Sequence, residues 1–269
     1  MLTGLSELWR HRALVAVLTA RELKARYRGS VLGFFWSLLN PLLMLTVYTV
    51  VFQLVLPNRS PSTRPYAVFL FCGLLPWNWL SSSLTDASGS LLQNGALLRK
   101  ILFPAEVLPA VSVLSQAVHF LLALPILLGA LLLGAYGVFD AKVALGLPLL
   151  QVPFLVAIEA VLLFGIGLFL AGLTVHFRDV KDLLATLLTL WFFATPVLYS
   201  FADIRSPRLR SLLAWNPAAL LFSAWHDALF FARWVPPLTW ALLLAISVAT
   251  LLLGYAFFDR LRDSYPEAV

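Results

Sequence analysis

Three ionisable residues, Asp86, His119 and Glu159, fall in or beside long apolar runs. A charge in hydrocarbon is costly, so each is a functional candidate, as proton carrier or ligand. Their spacing supports neither chemistry. There is no H-E-x-x-H pattern and no carboxylate pair, so neither a metal site nor a catalytic residue is expected. A structural hydrogen bond is the expected role of Glu159. Asp86 lies in a Ser-rich run near the inner end of its span, where water reaches. Gly-Lys occurs nowhere, which excludes a P-loop and with it ATP binding of that kind by this chain.

Arg21, Lys24 and Arg28, at i, i+3 and i+7, share one helical face, and Arg26 lies among them. Ala16, Ala20, Leu23 and Tyr27 fall on the other side. This pattern predicts an amphipathic helix lying on a membrane surface, its cations toward phosphate headgroups. From Val31 to Leu56 no charge follows, enough chain to cross a hydrocarbon core of about 30 Å.

The elements that must position these groups are membrane helices. Of the 269 residues 61% are hydrophobic and only 12% charged, against about 25% charged in soluble domains. Long unalternating apolar runs exclude barrel strands. The fold expected is all-α. An N-terminal cytoplasmic interface helix (1–30) precedes a six-helix membrane domain (31–269). The spans lie near 32–56, 67–92, 107–136, 143–174, 183–201 and 236–258. A net charge of +6 does not indicate nucleic acid here, because the cations gather at span ends. Cys72 stands alone in an apolar run, so no internal disulfide forms and the thiol acts as a small hydrophobe. The run Ala13–Ala20 is short and leads into Arg21 and Glu22, so no signal peptide is expected.

Arg10, Arg12, Arg21, Lys24, Arg26 and Arg28 precede the first span; Arg99–Lys100, Arg178 with Lys181, and Arg260 with Arg262 occupy alternate connections. The opposite side is poorer in cations except in the long last connection, which places both termini in the cytoplasm. Pro41, Pro76, Pro125, Pro153 and Pro196 are expected to interrupt spans. Gly165, Gly167, Ala171 and Gly172 would let helices approach closely. Gly29 and Gly33, at the turn into the first span, have the spacing of a helix-packing motif but suit a flexible joint equally.

Two short cytoplasmic connections mix apolar with charged residues, as partner-docking segments do: Arg99, Lys100, Phe103 and Pro104, then Phe177, Arg178 and Asp179. The last outer connection, 202–235, carries Trp215-Asn216-Pro217 and Trp225 on a segment too short to span. It is either a re-entrant or interfacial gate over a pathway or a surface-resting loop. Phe34, Phe35, Trp36 and Tyr48 in the first span and Trp191, Phe192, Phe193 and Tyr199 in the fifth are candidates to line a channel, since flat rings suit the apolar faces of sugars.

Arg26-Tyr27-Arg28-Gly29-Ser30-Val31-Leu32-Gly33, then Trp36 and Asn40-Pro41-Leu42, resembles the start of ABC-2 type permeases that export O-antigen, capsule or teichoic acid. Arg99-Lys100 with Phe103-Pro104, Phe177-Arg178-Asp179-Val180, Pro196, Tyr199 and Asn216-Pro217 follow in the family's order over nearly the whole chain. Where the family often has an arginine after Asn-Pro, this chain has His226-Asp227.

The resemblance implies a homodimer in the bacterial cytoplasmic (inner) membrane, carried on two copies of a P-loop ATPase subunit that binds ATP and Mg. The chain itself would hold no cofactor and be no enzyme. The substrate implied is a lipid-linked polysaccharide passing between the two subunits. The rival readings are an ion-coupled secondary transporter and a membrane enzyme acting on polyprenyl phosphate.

Overall fold

A computed structural model describes residues 10–55, 60–98, 104–139, 141 and 143–265. Every regular element among them is helical. Nine helices carry the architecture: α1 (Arg12–Arg26), α2 (Trp36–Val50), α3 (Tyr66–Gln93), α4 (Val107–Ala135), α5 (Val152–His176), α6 (Val180–Ala194), α7 (Pro207–Ala214), α8 (Pro217–Leu229) and α9 (Pro237–Arg260). Among the described residues, five stretches are long and apolar enough to cross a membrane. They are Gly33–Val50, Tyr66–Gln93, Val107–Ala135, Leu147–His176 and Pro237–Arg260.

The remaining expected span, 183–201, is shorter than the sequence suggested. It is α6, whose 15 residues reach about 22 Å. Proline at 196 explains the stop: its ring disfavours helical backbone at the preceding residue, and Thr195 is extended at φ −110°, ψ 139°. Pro41, Pro76 and Pro125 do lie inside helices. Pro153 lies within the Leu147–His176 stretch, just after its 3-10 start (Leu147–Gln151) gives way to α-helix. It sits in the first turn of α5, where no backbone N–H is needed.

α3 is the most buried span and packs on α4 and α5, while α5 packs on α9. Small residues make the second contact possible. A Cβ added at Gly165 would stand 2.6 Å from the Leu251 backbone, and one at Gly254 would strike the Gly165 carbonyl. Gly29 and Gly33 adopt φ of +80° and +51° with open space around them. They form the joint between α1 and α2 and make no helix contact.

α1 meets the bundle through Leu14, Val15 and Leu18, against Val107 and Val111 of α4. Ala16 and Ala20, on the face expected toward the membrane surface, take no part in this contact and are exposed in the subunit. Arg28 lies beyond the helix end, where the chain turns. α8 is no surface loop: Leu221, Phe222 and Trp225 are buried, and it packs on α3, α5 and α9. Its 13 residues make about 20 Å, too little to cross, so it is a short helix seated within the bundle.

Candidate functional site

Beneath α1 lies a polar cleft assembled from four helices. The Arg26 Nη2 donates to Asp86 Oδ2 at 2.9 Å, and Gln116 Nε2 donates to the same oxygen at 2.5 Å. Beside this pair the Tyr27 hydroxyl and Ser37 Oγ share a hydrogen bond of 2.6 Å. The His119 Nδ1 lies 3.3 Å from the first and 3.2 Å from the second. Local geometry explains the meeting. Gln116 and His119 are i, i+3 on α4 and share a face, while the Gly29–Gly33 joint folds Ser37 back beneath Tyr27.

Arg26 separates two compartments. One, about 320 Å³, is bounded by Arg21, Glu22 and Asp86; the other, about 200 Å³, by Tyr27, Trp36 and His119. Burial, and next the negative charge of Asp86, raise the Glu22 pKa, with Arg26 and Arg21 opposing. The cleft thus brings cations and hydroxyls, donors that suit a phosphate, beside the carboxyls of Glu22 and Asp86, the second of which engages Arg26 and the Gln116 amide.

Two of the four expected headgroup residues, Arg21 and Arg26, line this cleft. Lys24 and Arg28 are exposed and lie outside its lining. Sequence reasoning missed that Asp86 and His119 belong here, because their partners lie 60 and 92 residues away.

The two aromatic groups occupy different surroundings. Phe34 and Phe35 are 48% and 72% exposed, Trp36 borders the inner cleft, and Tyr48 leans on Phe52. Trp191 and Phe192 pack against Trp77 of α3, Phe193 is 62% exposed, and Tyr199 borders a separate cavity at the far end of the bundle. No ring contact within the subunit joins the two groups among the described residues.

Of the expected docking residues, Arg99, Lys100 and Phe103 lie outside the described residues. Pro104 is buried; Phe177, Arg178 and Asp179 are exposed at the end of α5. The C-terminal segment links the two connections, which the sequence did not signal. Arg262 Nη2 lies 3.7 Å from Oε1 of the buried Glu106. Ser264 Oγ shares a 3.1 Å hydrogen bond with His176 Nε2. Tyr265 is buried with its hydroxyl over Gly172.

At the far end, Asn216 joins α6 to α8. Its Oδ1 accepts from the Ala218 N–H, capping α8, and from the Trp191 indole at 2.9 Å. Its Nδ2 donates to the Ala194 carbonyl and Thr195 Oγ1, both at 3.0 Å. Pro217 at the first helical position completes this start. Trp215 is exposed, whereas Trp225 is fully buried and donates its indole N–H to Glu159. Glu159 therefore has the structural bond expected of it.

Known proteins resemble this chain along its length. The chain is 38% identical over 274 residues to the O-antigen export system permease protein RfbA of Myxococcus xanthus, covering all of both chains. It is 30% identical to the Klebsiella pneumoniae protein of that name and 22% to the polysialic acid transport protein KpsM of Escherichia coli, covering 94% of each chain. The ABC-2 type transporter family matches residues 13–230, and the chain belongs to that family.

Proposed function

We propose that this chain is the membrane-spanning subunit of an ATP-driven exporter that carries a lipid-linked polysaccharide of the O-antigen, capsule or teichoic acid type across the bacterial cytoplasmic membrane. The observation that carries the reading is the cleft beneath α1. It sets Arg21, Arg26, Gln116 and His119 beside the exposed apolar flank of α2, an arrangement suited to an anionic headgroup on an apolar tail. The export systems named for the full-length relatives support the polysaccharide.

The subunit works as a homodimer on two copies of a P-loop ATPase, which binds ATP and Mg, with both termini cytoplasmic. Exposed Phe177, Arg178 and Asp179 meet that ATPase, together with the connection ending at Pro104. ATP closes the ATPase dimer, the docking segments move, and α2 and α6 of the two subunits part around the glycan. Phe34, Phe35 and Phe193 then face the path. Arg21 and Arg26 draw the headgroup in, while Lys24 and Arg28 raise the local anionic-lipid concentration at the surface.

Affinity purification from native membranes tests the assembly: a stoichiometric P-loop ATPase is expected, and its absence with the chain still folded would favour an ion-coupled carrier. Replacing Arg21, Lys24, Arg26 and Arg28 by glutamine should abolish export while leaving membrane insertion intact. Unchanged export would remove the headgroup role.

A further inference from the structure

A second cavity, about 480 Å³, opens at the end of the bundle remote from α1, between the start of α3, the 196–203 turn and α8. Phe69 lies on this side and Asp86 on the other. They are 17 positions apart on one helix, or about 26 Å. The cavity's volume falls in the usual range for small-molecule sites, and its walls are of two kinds. Tyr199, Phe201 and Phe231 present half-exposed rings; Asp227, Ser223 and Arg233 supply acceptors and donors.

The turn after α8 holds ring and charges together. The Arg233 guanidinium stands 5.1 Å from the Phe231 ring centre, and the Arg233 main-chain N–H donates to the Asp227 carbonyl at 2.7 Å. Ala232 between them has φ +48°, a left-handed conformation that alanine disfavours. Strain is thus maintained where it sets Arg233 beside the rings. His226, stacked on Phe69 at 4.1 Å and bonded to the Phe69 carbonyl at 3.2 Å, closes the floor.

We infer that this cavity is a binding site for one hexose-type unit of a glycan. A pyranose ring has an apolar C–H face for an aromatic side chain and a rim of hydroxyls for a carboxylate and a guanidinium. A lipid tail would bring no hydrogen-bonding group to Asp227 or Arg233, and a bare cation would meet Arg233, which stands over the Phe231 ring. The inference rests on the export reading for its biological sense: here the emerging glycan is held at the outer face, and backsliding between strokes is reduced.

Saturation-transfer NMR on the purified full-length chain in nanodiscs tests it, with the methyl glycosides of D-mannose, D-galactose, L-rhamnose and N-acetyl-D-glucosamine as probes. Transfer to the ring protons of at least one is expected. Asp227→Asn should weaken it about tenfold, the loss of a hydrogen bond to a charged group. Phe201→Leu, which alters a half-exposed ring with little demand on the core, should weaken it as well. Ala232→Gly should raise the unfolding temperature while reducing transfer, because the strain and the placement of Arg233 go together. No transfer to any probe, or transfer undiminished in folded Asp227→Asn and Phe201→Leu chains, would overturn the site. The export reading fails separately. ATP-dependent glycan export without sugar binding removes this site alone, and sugar binding in a complex that exports no glycan supports the site while removing that reading.

Discussion

The indole N–H of Trp225 donates to Oε2 of Glu159 at 2.7 Å, both side chains fully buried, and this bond fastens the short helix α8 to the first third of α5. The other carboxyl oxygen of Glu159 has no hydrogen-bond partner. Among the described residues the carboxyl's hydrogen-bond partner is the Trp225 indole, and a buried carboxyl so placed suits an anchor better than a transport site.

Trp225→Phe should keep most of the packing and delete the bond, destabilising by about 1–3 kcal/mol, the cost of stranding a buried polar group. Thermal unfolding in detergent measures it. Glu159→Gln keeps an acceptor for the indole and should retain export. Abolished export in a folded Glu159→Gln chain would argue for an ion-coupled carrier.

Asn216 is the second anchor: one acceptor bond caps α8 itself, while a second acceptor bond and two donor bonds tie it to α6 and its C-terminal end. Asn216→Ala removes a helix cap, typically worth about 0.5–2 kcal/mol, and leaves the Trp191 indole without this partner. Asn216→Asp preserves the acceptor bonds alone and should fall between wild type and alanine. If alanine and aspartate were equally stable, the donor bonds to the end of α6 would carry the effect.

The α5–α9 contact predicts a contrast between glycines. Gly254→Ala drives a methyl into the Gly165 carbonyl, and overpacking of this kind costs about 1–3 kcal/mol. Gly129→Ala in α4 meets open space and should be close to neutral. Equal unfolding temperatures for the two variants would contradict the close approach.

Glu22 predicts a pH dependence. Its pKa in the folded chain lies above the ordinary 4.5, so the folded state holds this proton more tightly than the unfolded one. The associated stability is fully present below 4.5 and is lost as pH rises through the folded value. Unfolding temperatures recorded upward from that pH should therefore fall more steeply in wild type than in Glu22→Gln. The same substitution removes a negative charge beside Arg21 and Arg26. Binding to anionic vesicles should strengthen about fivefold, the effect of roughly 1 kcal/mol per charge near the surface.

The sequence by itself determined that this is a helical membrane protein and where most of its spans lie. Hydrocarbon obliges each crossing segment to satisfy its own backbone, so an uninterrupted apolar run is already a helix. The glycine joint and the family resemblance were legible for similar reasons, since each depends on residues close together in the chain; Asn216-Pro217 stood out only as part of the outer segment, and the structure made it the start of α8. Tertiary structure alone decided which surfaces meet. Asp86 and His119 look like isolated polar residues until α1 and α4 bring Arg26, Gln116, Tyr27 and Ser37 around them. It also decided that α8 enters the bundle, because its apolar face suits a membrane surface and a protein interior equally. Such contacts join side chains dozens of residues apart, and packing selects them where local pattern is silent.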